Sequence, residues 1–190
     1  AYLKDQKVLV DGYKIGVIQH DSTATGIDRA EGFIEKIEAL AKADNVKLVI
    51  NRQVKTNNTG DYKLGLQALN DWGAQAIFMT NEGVVKQVYD AIKAAPGKYD
   101  NIIFSGFDAG TKQLTWIKEY ATPKLVGSVA QDSIEMGYQA TLQCIAAVEG
   151  GEAKNVDIAG AWYTAENLIS MLDSNLIYTD APADADALRK

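Results

Sequence analysis

The sequence is poor in the residues that most site chemistry requires. Its 190 residues include one cysteine and one histidine. A single cysteine excludes an internal disulfide framework and any cysteine-based zinc cluster. A single histidine, His20, makes any histidine metal set or Ser-His-Asp triad depend wholly on one ring, and no Gly-x-Ser-x-Gly elbow occurs. Gly-x-Gly-x-x-Gly is missing after the first apolar segment, and neither Gly-Lys-Thr nor Gly-Lys-Ser is found, so nucleotide binding loses its usual warrant. Basic residues are outnumbered, 19 Lys and Arg against 25 Asp and Glu, for a formal charge of −6 and a pI near 4.8. That balance argues against a surface built to neutralise phosphates, so no nucleic-acid partner is expected, nor adhesion to an anionic membrane. No apolar run reaches the length of a membrane span.

What is present reads as an ordinary globular composition, 47% hydrophobic, with enough chain to bury one good core. Apolar runs alternate with amphipathic segments. Tyr13 to Ile18, Val46 to Ile50, Gln75 to Thr80, Asn101 to Phe107 and Lys124 to Ala130 read as buried strands. Helices are expected between them, the first opened by Thr25-Gly-Ile-Asp28 as a capping box, and the last by Asp132-Ser-Ile-Glu135. Strand starts roughly 25 to 30 residues apart, with helices between, imply right-handed crossovers and a parallel sheet. The fold class is therefore α/β, a three-layer doubly wound parallel sheet. Beyond Asn155 the pattern changes to a strand-like run, Val156 to Tyr163, a weak helix from Thr164, and an acidic end expected to be mobile. Residues 1–12 read as the end of a helix that begins upstream.

In a sheet of this kind the residues just after the strands converge on one crevice. They are His20 and Asp21, Gln53 to Asn58, Asn81 and Glu82, Asp108, and Gln131 and Asp132. Carboxylates and carboxamides accept and donate to hydroxyls as a set, which suits a neutral sugar or polyol. Asn81, Asp108 and Asp132 are equally good helix N-caps, so each alone has a purely structural reading. Asp21 and Asp108 could also serve a metal-dependent phosphatase-like or receiver-like domain, but such folds want an acidic cluster at the end of the first strand, and Ile18-Gln-His-Asp21 stands there. Cys144, beside Ile145 and Val148 in a helix, reads as a small core hydrophobe.

Several segments in order resemble one family. Arg29-Ala-Glu-Gly-Phe33, Ala76 to Asn81, Ser105-Gly-Phe-Asp108, Gly127 to Gln131 followed by Met136-Gly-Tyr138, and Trp162 to Asn167 are similar to the C-terminal half of type I periplasmic sugar-binding proteins, the ribose- and galactose-binding group that serves ABC transporters. The resemblance implies a ligand-binding lobe at 13–168 and a C-terminal tail at 169–190. It implies Asn81, Asp108 and Gln131 as ligand hydrogen-bonders, no catalytic residue, and no cofactor or metal. An ABC transporter permease is the implied partner, and the implied location is periplasmic or otherwise extracytoplasmic, membrane-anchored in a Gram-positive cell. Two positions depart from the family pattern. Ile27 stands where a sugar-contacting arginine is common, and Thr59-Gly60 where a stacking aromatic is usual. His20, Asp21 or the loop from Lys55 to Asn58 are the expected substitutes, and Arg29 is expected to buttress rather than bind. The resemblance also implies a first lobe that this chain lacks, against which the helix 132–149 would pack. Without it, the Ile134, Tyr138, Leu142 and Ile145 face is expected to lie bare, as in either a self-associated fragment or a proteolytic remnant. The effector-binding core of a lactose-repressor-type regulator shares this fold and is the alternative.

Overall fold

The apolar runs fold as strands close to where they are expected. The computed structural model describes residues 2–54, 61–119 and 121–190. In chain order these form α1 (Tyr2–Asp5), β1 (Tyr13–Gln19), α2 (Ala24–Ala43), β2 (Leu48–Val54), α3 (Tyr62–Trp72), β3 (Ala76–Met79), α4 (Glu82–Ala94), β4 (Ile103–Phe107), α5 (Thr111–Glu119), β5 (Leu125–Ala130), α6 (Ser133–Val148), β6 (Ala161–Tyr163), α7 (Leu168–Asp173) and α8 (Pro182–Arg189). The sheet has the order β2-β1-β3-β4-β5-β6. Its first five strands are parallel, and β1 lies between β2 and β3, so the winding direction reverses beside it.

Side chains alternate across the strands and divide the interior in two. Ile18, Ile77, Met79 and Phe104 face α3, α4 and α5 in the main core, with Leu66, Leu69, Val84, Val85, Val88, Leu114 and Ile117 supplied by the helices. Val17 and Phe78 face the other way, toward Ala30, Phe33 and Ile34 of α2, where Phe33 and Phe78 stack with centroids 4.3 Å apart. The result is the three-layer arrangement expected, helices on both faces of one sheet.

Several expectations need correction. The sheet is mixed, because β6 runs antiparallel to β5. The chain leaves β5 into α6 and returns to the same end of the sheet, so the next strand must run backward. Of the run Val156 to Tyr163, only Ala161–Tyr163 pairs; there Trp162 lies so close over Gly127 that a Cβ on that glycine would sit 2.4 Å from the indole ring. The first helix is capped not by Thr25 but by Thr23, whose hydroxyl accepts from the Gly26 amide at 3.3 Å. β2 extends to Val54, into the segment read as loop, because Arg52 is drawn into a bond with the buried Gln19 side chain of β1. The cap expected at Asp132 forms, its carboxylate accepting from the Glu135 amide, and Asp61 caps α3 by accepting from the Lys63 amide.

The acidic end is a docked helix rather than a mobile tail. Pro182 begins α8, where a missing N–H costs nothing, and Asp184 sits in its first turn against the helix dipole. Leu188 is buried, its carbonyl accepts from Lys118 Nζ at 2.6 Å, and Thr111 Oγ1 donates to Asp184 at 2.8 Å. α6 behaves as the apolar face expected: none of its residues is buried, and Ile134, Tyr138, Leu142 and Ile145 are all exposed. No helix among the described residues is long and apolar enough to cross a membrane.

Docking of α8 has a measurable consequence. Leu188→Ala is expected to lower the unfolding free energy by about 2 kcal/mol, at the low end for a buried leucine because the site lies near the surface. Equilibrium urea denaturation reads this, and an unchanged midpoint would mean that the end contributes nothing to the folded state.

Candidate functional site

The strand ends meet around Asp108. This residue follows β4 directly and takes φ +67, in the left-handed region, where a non-glycine residue needs support. The support is a buried polar cluster on its main-chain carbonyl: Tyr163 Oη donates at 2.8 Å, Ser128 Oγ at 3.0 Å and Gln113 Nε2 at 3.1 Å. Gln113, Ser128 and Tyr163 are themselves fully buried, and burial raises the Tyr163 hydroxyl far above its ordinary pKa, so it remains a donor. Holding the carbonyl inward turns the carboxylate toward the strand-end crevice.

There the Asp108 carboxylate is shared. Arg29 Nη1 of α2 and the Glu82 amide at the start of α4 each donate to Oδ2 at 3.3 Å, and Gln131 Nε2 after β5 donates to Oδ1. The guanidinium lies over the Phe107 ring at 4.0 Å and also donates to the Thr80 carbonyl at 3.0 Å. Arg29 thus buttresses the strand ends, as the sequence suggests, and it neutralises Asp108 at the same time. On its far side Thr80 Oγ1 accepts from the His20 amide at 2.9 Å and lies 2.8 Å from the ring Nδ1. His20 Nε2 in turn faces Asp21 Oδ1 at 3.4 Å.

Four of the five candidate residues therefore belong to one chain of contacts, Asp21, His20, Thr80, Arg29, Asp108 and Gln131 in sequence across the crevice. Asn81 lies beside it, one residue before the amide that binds Asp108. Its Oδ1 caps α4 by accepting from Val84 at 2.9 Å. The structural reading of Asn81 holds for its oxygen, while its Nδ2 makes no hydrogen bond among the described residues. Asp108 does not cap α5, which begins at Thr111; its carboxylate turns instead to Arg29, Gln131 and the first amide of α4. Asn81 Nδ2, Asp21 Oδ2 and Gln131 Oε1 remain unengaged among the described residues, one amide donor and two acceptors, a set that can answer hydroxyls. The segment Lys55 to Asn58 and the position of Thr59-Gly60 lie outside the described residues.

Gln113, Ser128 and Tyr163 are not legible as site-shaping from periodicity, although Gln113 interrupts an apolar helix face with a buried carboxamide beside Leu114 and Ile117. Tyr178 is a further addition. The α8 segment brings its hydroxyl to Glu82 Oε2 at 3.3 Å, and burial together with Glu82 pushes its pKa up to about 12. Two hollows border this network. One of about 570 Å³ on the α2 face is lined by Arg29 and Phe107, and one of about 470 Å³ by Phe107, Gln131 and Asp132; neither is lined by Asn81 or Asp108. Among the described residues no three His, Cys, Asp or Glu side chains are grouped to hold a metal ion.

Burial lowers the His20 pKa, and the neighbouring Arg29 adds to the effect against the opposing pull of Asp21 and Asp108. Hydrogen bonds from Thr23 lower that of Asp21. With its folded pKa below the unfolded value of about 6.5, His20 binds fewer protons in the folded state, so stability falls as pH drops below about 6.5 toward the folded pKa. Asp21 contributes stability above its unfolded pKa and loses it as pH falls through the lower folded value. Since His20 is the only histidine, its ring resonances are expected to titrate with a midpoint below 6.5, and His20→Gln is expected to remove that step from the pH dependence of the melting temperature. A midpoint at or above 6.5 would contradict the buried neutral ring.

No family model matches the sequence, and no curated protein does. Solved structures do. A protein from Brachyspira murdochii described as an ABC transporter, LacI family transcriptional regulator superposes with a TM-score of 0.76 at 26% identity, over 93% of this chain and 60% of that one. An ABC transporter solute-binding protein from Agrobacterium vitis bound with α-D-tagatopyranose gives 0.68 at 18% identity, over 88% and 55%. The Caulobacter myo-inositol binding protein bound to myo-inositol gives 0.68 at 22% identity, over 89% and 56%. This chain thus spans between 55% and 60% of the length of these three structures. Its order of strands and its three layers are the fold of the type I periplasmic sugar-binding proteins, present here over part of their length.

Proposed function

We propose that this chain is the ligand-holding lobe, at 13–168, of a solute-binding protein for a neutral sugar or polyol, the receptor component of an ABC transporter. It acts outside the cytoplasmic membrane, hands its ligand to a permease, and works by closing on the ligand without catalysis. The observation that carries this reading is the convergence of Asp21, His20, Arg29, Asp108 and Gln131, with Asn81 alongside, at four neighbouring strand ends. Asp108 is neutralised by Arg29 within the protein, so the crevice asks for no charged ligand. Its unengaged amide and oxygens match hydroxyls, which donate and accept at once. A second lobe supplies the opposing contacts, so the affinity of this chain alone is low. Two of the matched structures carry a sugar or an inositol, which supports the ligand class.

The name of the Brachyspira structure also supports a second reading, the effector-binding core of a lactose-repressor-type regulator. That reading requires a DNA-binding helix-turn-helix upstream of Ala1, and specific DNA binding by the whole protein would favour it. A metal-dependent phosphatase-like or receiver-like chemistry at Asp21 and Asp108 has less support, because the one carboxylate is held by Thr23 and the other by Arg29 and Gln131.

Thermal melts of the full-length, two-lobed protein with D-arabinose, D-tagatose and myo-inositol test the reading. One of these at about a hundred times its Kd is expected to stabilise the fold by about 2.7 kcal/mol. Gln131→Ala and Asp108→Asn are expected to abolish the gain while leaving the sugar-free protein folded. Equal melting with and without all three sugars, or magnesium-dependent phosphatase activity that Asp108→Ala removes, would overturn it.

A further inference from the structure

We propose that Arg52 and Gln19 are positioning residues for the strand-end site: the arginine fixes which end of the buried Gln19 carboxamide faces Asp21, and so aims the Asp21 carboxylate. This role rests on the reading of Asp21 as a ligand-holding residue and extends the site to the edge strand β2. Gln19 ends β1 and is 1% exposed. A carboxamide buried this deeply costs free energy unless both of its ends are bonded. Arg52 stands opposite Val17 in the parallel register, and side chains alternate along each strand, so Arg52, Val17 and Gln19 share the α2 face of the sheet. Arg52 Nε donates to Gln19 Oε1 at 2.5 Å, and Gln19 Nε2 donates to the main-chain carbonyl of Asp21. Arg52 Nη1 lies 3.5 Å from Glu31 Oε1 of α2, so the guanidinium is held from the helix layer as well.

The chemistry of the three partners allows one orientation. A guanidinium can only donate and a carbonyl can only accept, whereas a carboxamide can turn over and present either end. With Arg52 on one side, the Gln19 oxygen must face β2 and its amide must face Asp21. Without Arg52, a turned-over carboxamide sets its oxygen against the Asp21 carbonyl oxygen, acceptor to acceptor. The first turn of α2 also closes on that carbonyl: a Cβ on Gly26 would sit 2.6 Å from it and 2.7 Å from Asp21 Oδ1. Held at its carbonyl, Asp21 commits Oδ1 to the Thr23 amide and hydroxyl at 3.0 and 2.6 Å and faces His20 Nε2 at 3.4 Å, which leaves Oδ2 for a ligand hydroxyl.

Calorimetric titration of the full-length, two-lobed protein with D-arabinose, D-tagatose and myo-inositol reads the effect on the ligand. Arg52→Met is expected to weaken binding of the sugar by about tenfold, the loss of one contact to a charged group. In an Asp21→Ala background the same change is expected to alter Kd by less than about twofold, because no carboxylate remains to be aimed. Gln19→Met combined with Arg52→Met leaves no buried polar atom unpaired, so this double variant is expected to melt higher than Arg52→Met alone and yet to bind no more tightly. Unchanged affinity in Arg52→Met, affinity that recovers with the melting temperature, or an Arg52→Met effect that persists in full without the Asp21 carboxylate would overturn the proposal. The sugar-free protein supplies an independent measurement. The charges acting on the His20 ring are Asp21, Arg29 and Asp108, and Asp21 draws its pKa upward against burial. An Asp21 carboxylate that swings away in Arg52→Met is therefore expected to shift the midpoint of the ring resonances below that of the wild type, whereas general loosening would hydrate the ring and raise the midpoint toward about 6.5. An unchanged or raised midpoint overturns the positioning whichever sugar binds. A lowered midpoint upholds it even where none of the three sugars binds, a result that overturns the sugar reading alone.

Discussion

The strand-end site depends on the inward carbonyl of Asp108. A non-glycine residue in the left-handed region costs about 1–2 kcal/mol, and three donors on one carbonyl, each worth about 1 kcal/mol, offset that cost. Tyr163, Ser128 and Gln113 come from β6, β5 and α5, so the conformation of one residue is set only when three elements have assembled. With the carbonyl fixed, the carboxylate has one direction left, toward Arg29 and Gln131. Loss of any of the three donors would act on the crevice through backbone geometry without touching a ligand.

Arg29 extends this order to the other side of the reversal in strand winding. One of its nitrogens serves both the Thr80 carbonyl after β3 and the Asp108 carboxylate after β4, and the guanidinium plane rests on Phe107. Thr80 carries the connection onward to His20. A side chain that satisfies two acceptors and a ring face is poorly available to a ligand, which explains how an arginine can sit in the middle of such a site and still serve positioning. Ile27, two residues earlier on α2, supplies no charge to replace it.

The legible part of this protein was the part written in periodicity. The strand-forming runs and the helices opened by Asn81 and Asp132 were readable because burial and capping act within a few residues. Strand-end polar residues could be located for the same reason, since the topology alone places them together. Other features were not readable. The cap of α2 falls at Thr23, whose hydroxyl and amide both donate to Asp21 two residues earlier. The direction of β6 follows from where α6 returns the chain. The acidic end looked soluble and mobile, yet one buried leucine and the Thr111 and Lys118 contacts hold it in place. The support of Asp108 by Gln113, Ser128 and Tyr163 joins residues 5, 20 and 55 positions from that carbonyl, the last two beyond any local pattern.

The antiparallel β6 bears on how sheets grow. With only three residues, its outer edge offers few free N–H and C=O groups, so a further strand finds little to pair with there. The opposite edge, β2, is seven residues long, and its Arg52 turns inward, to Gln19 of β1 and Glu31 of α2. The two edges are therefore unequal: growth of the sheet from one molecule to the next is discouraged at the β6 end, where the backbone offers least.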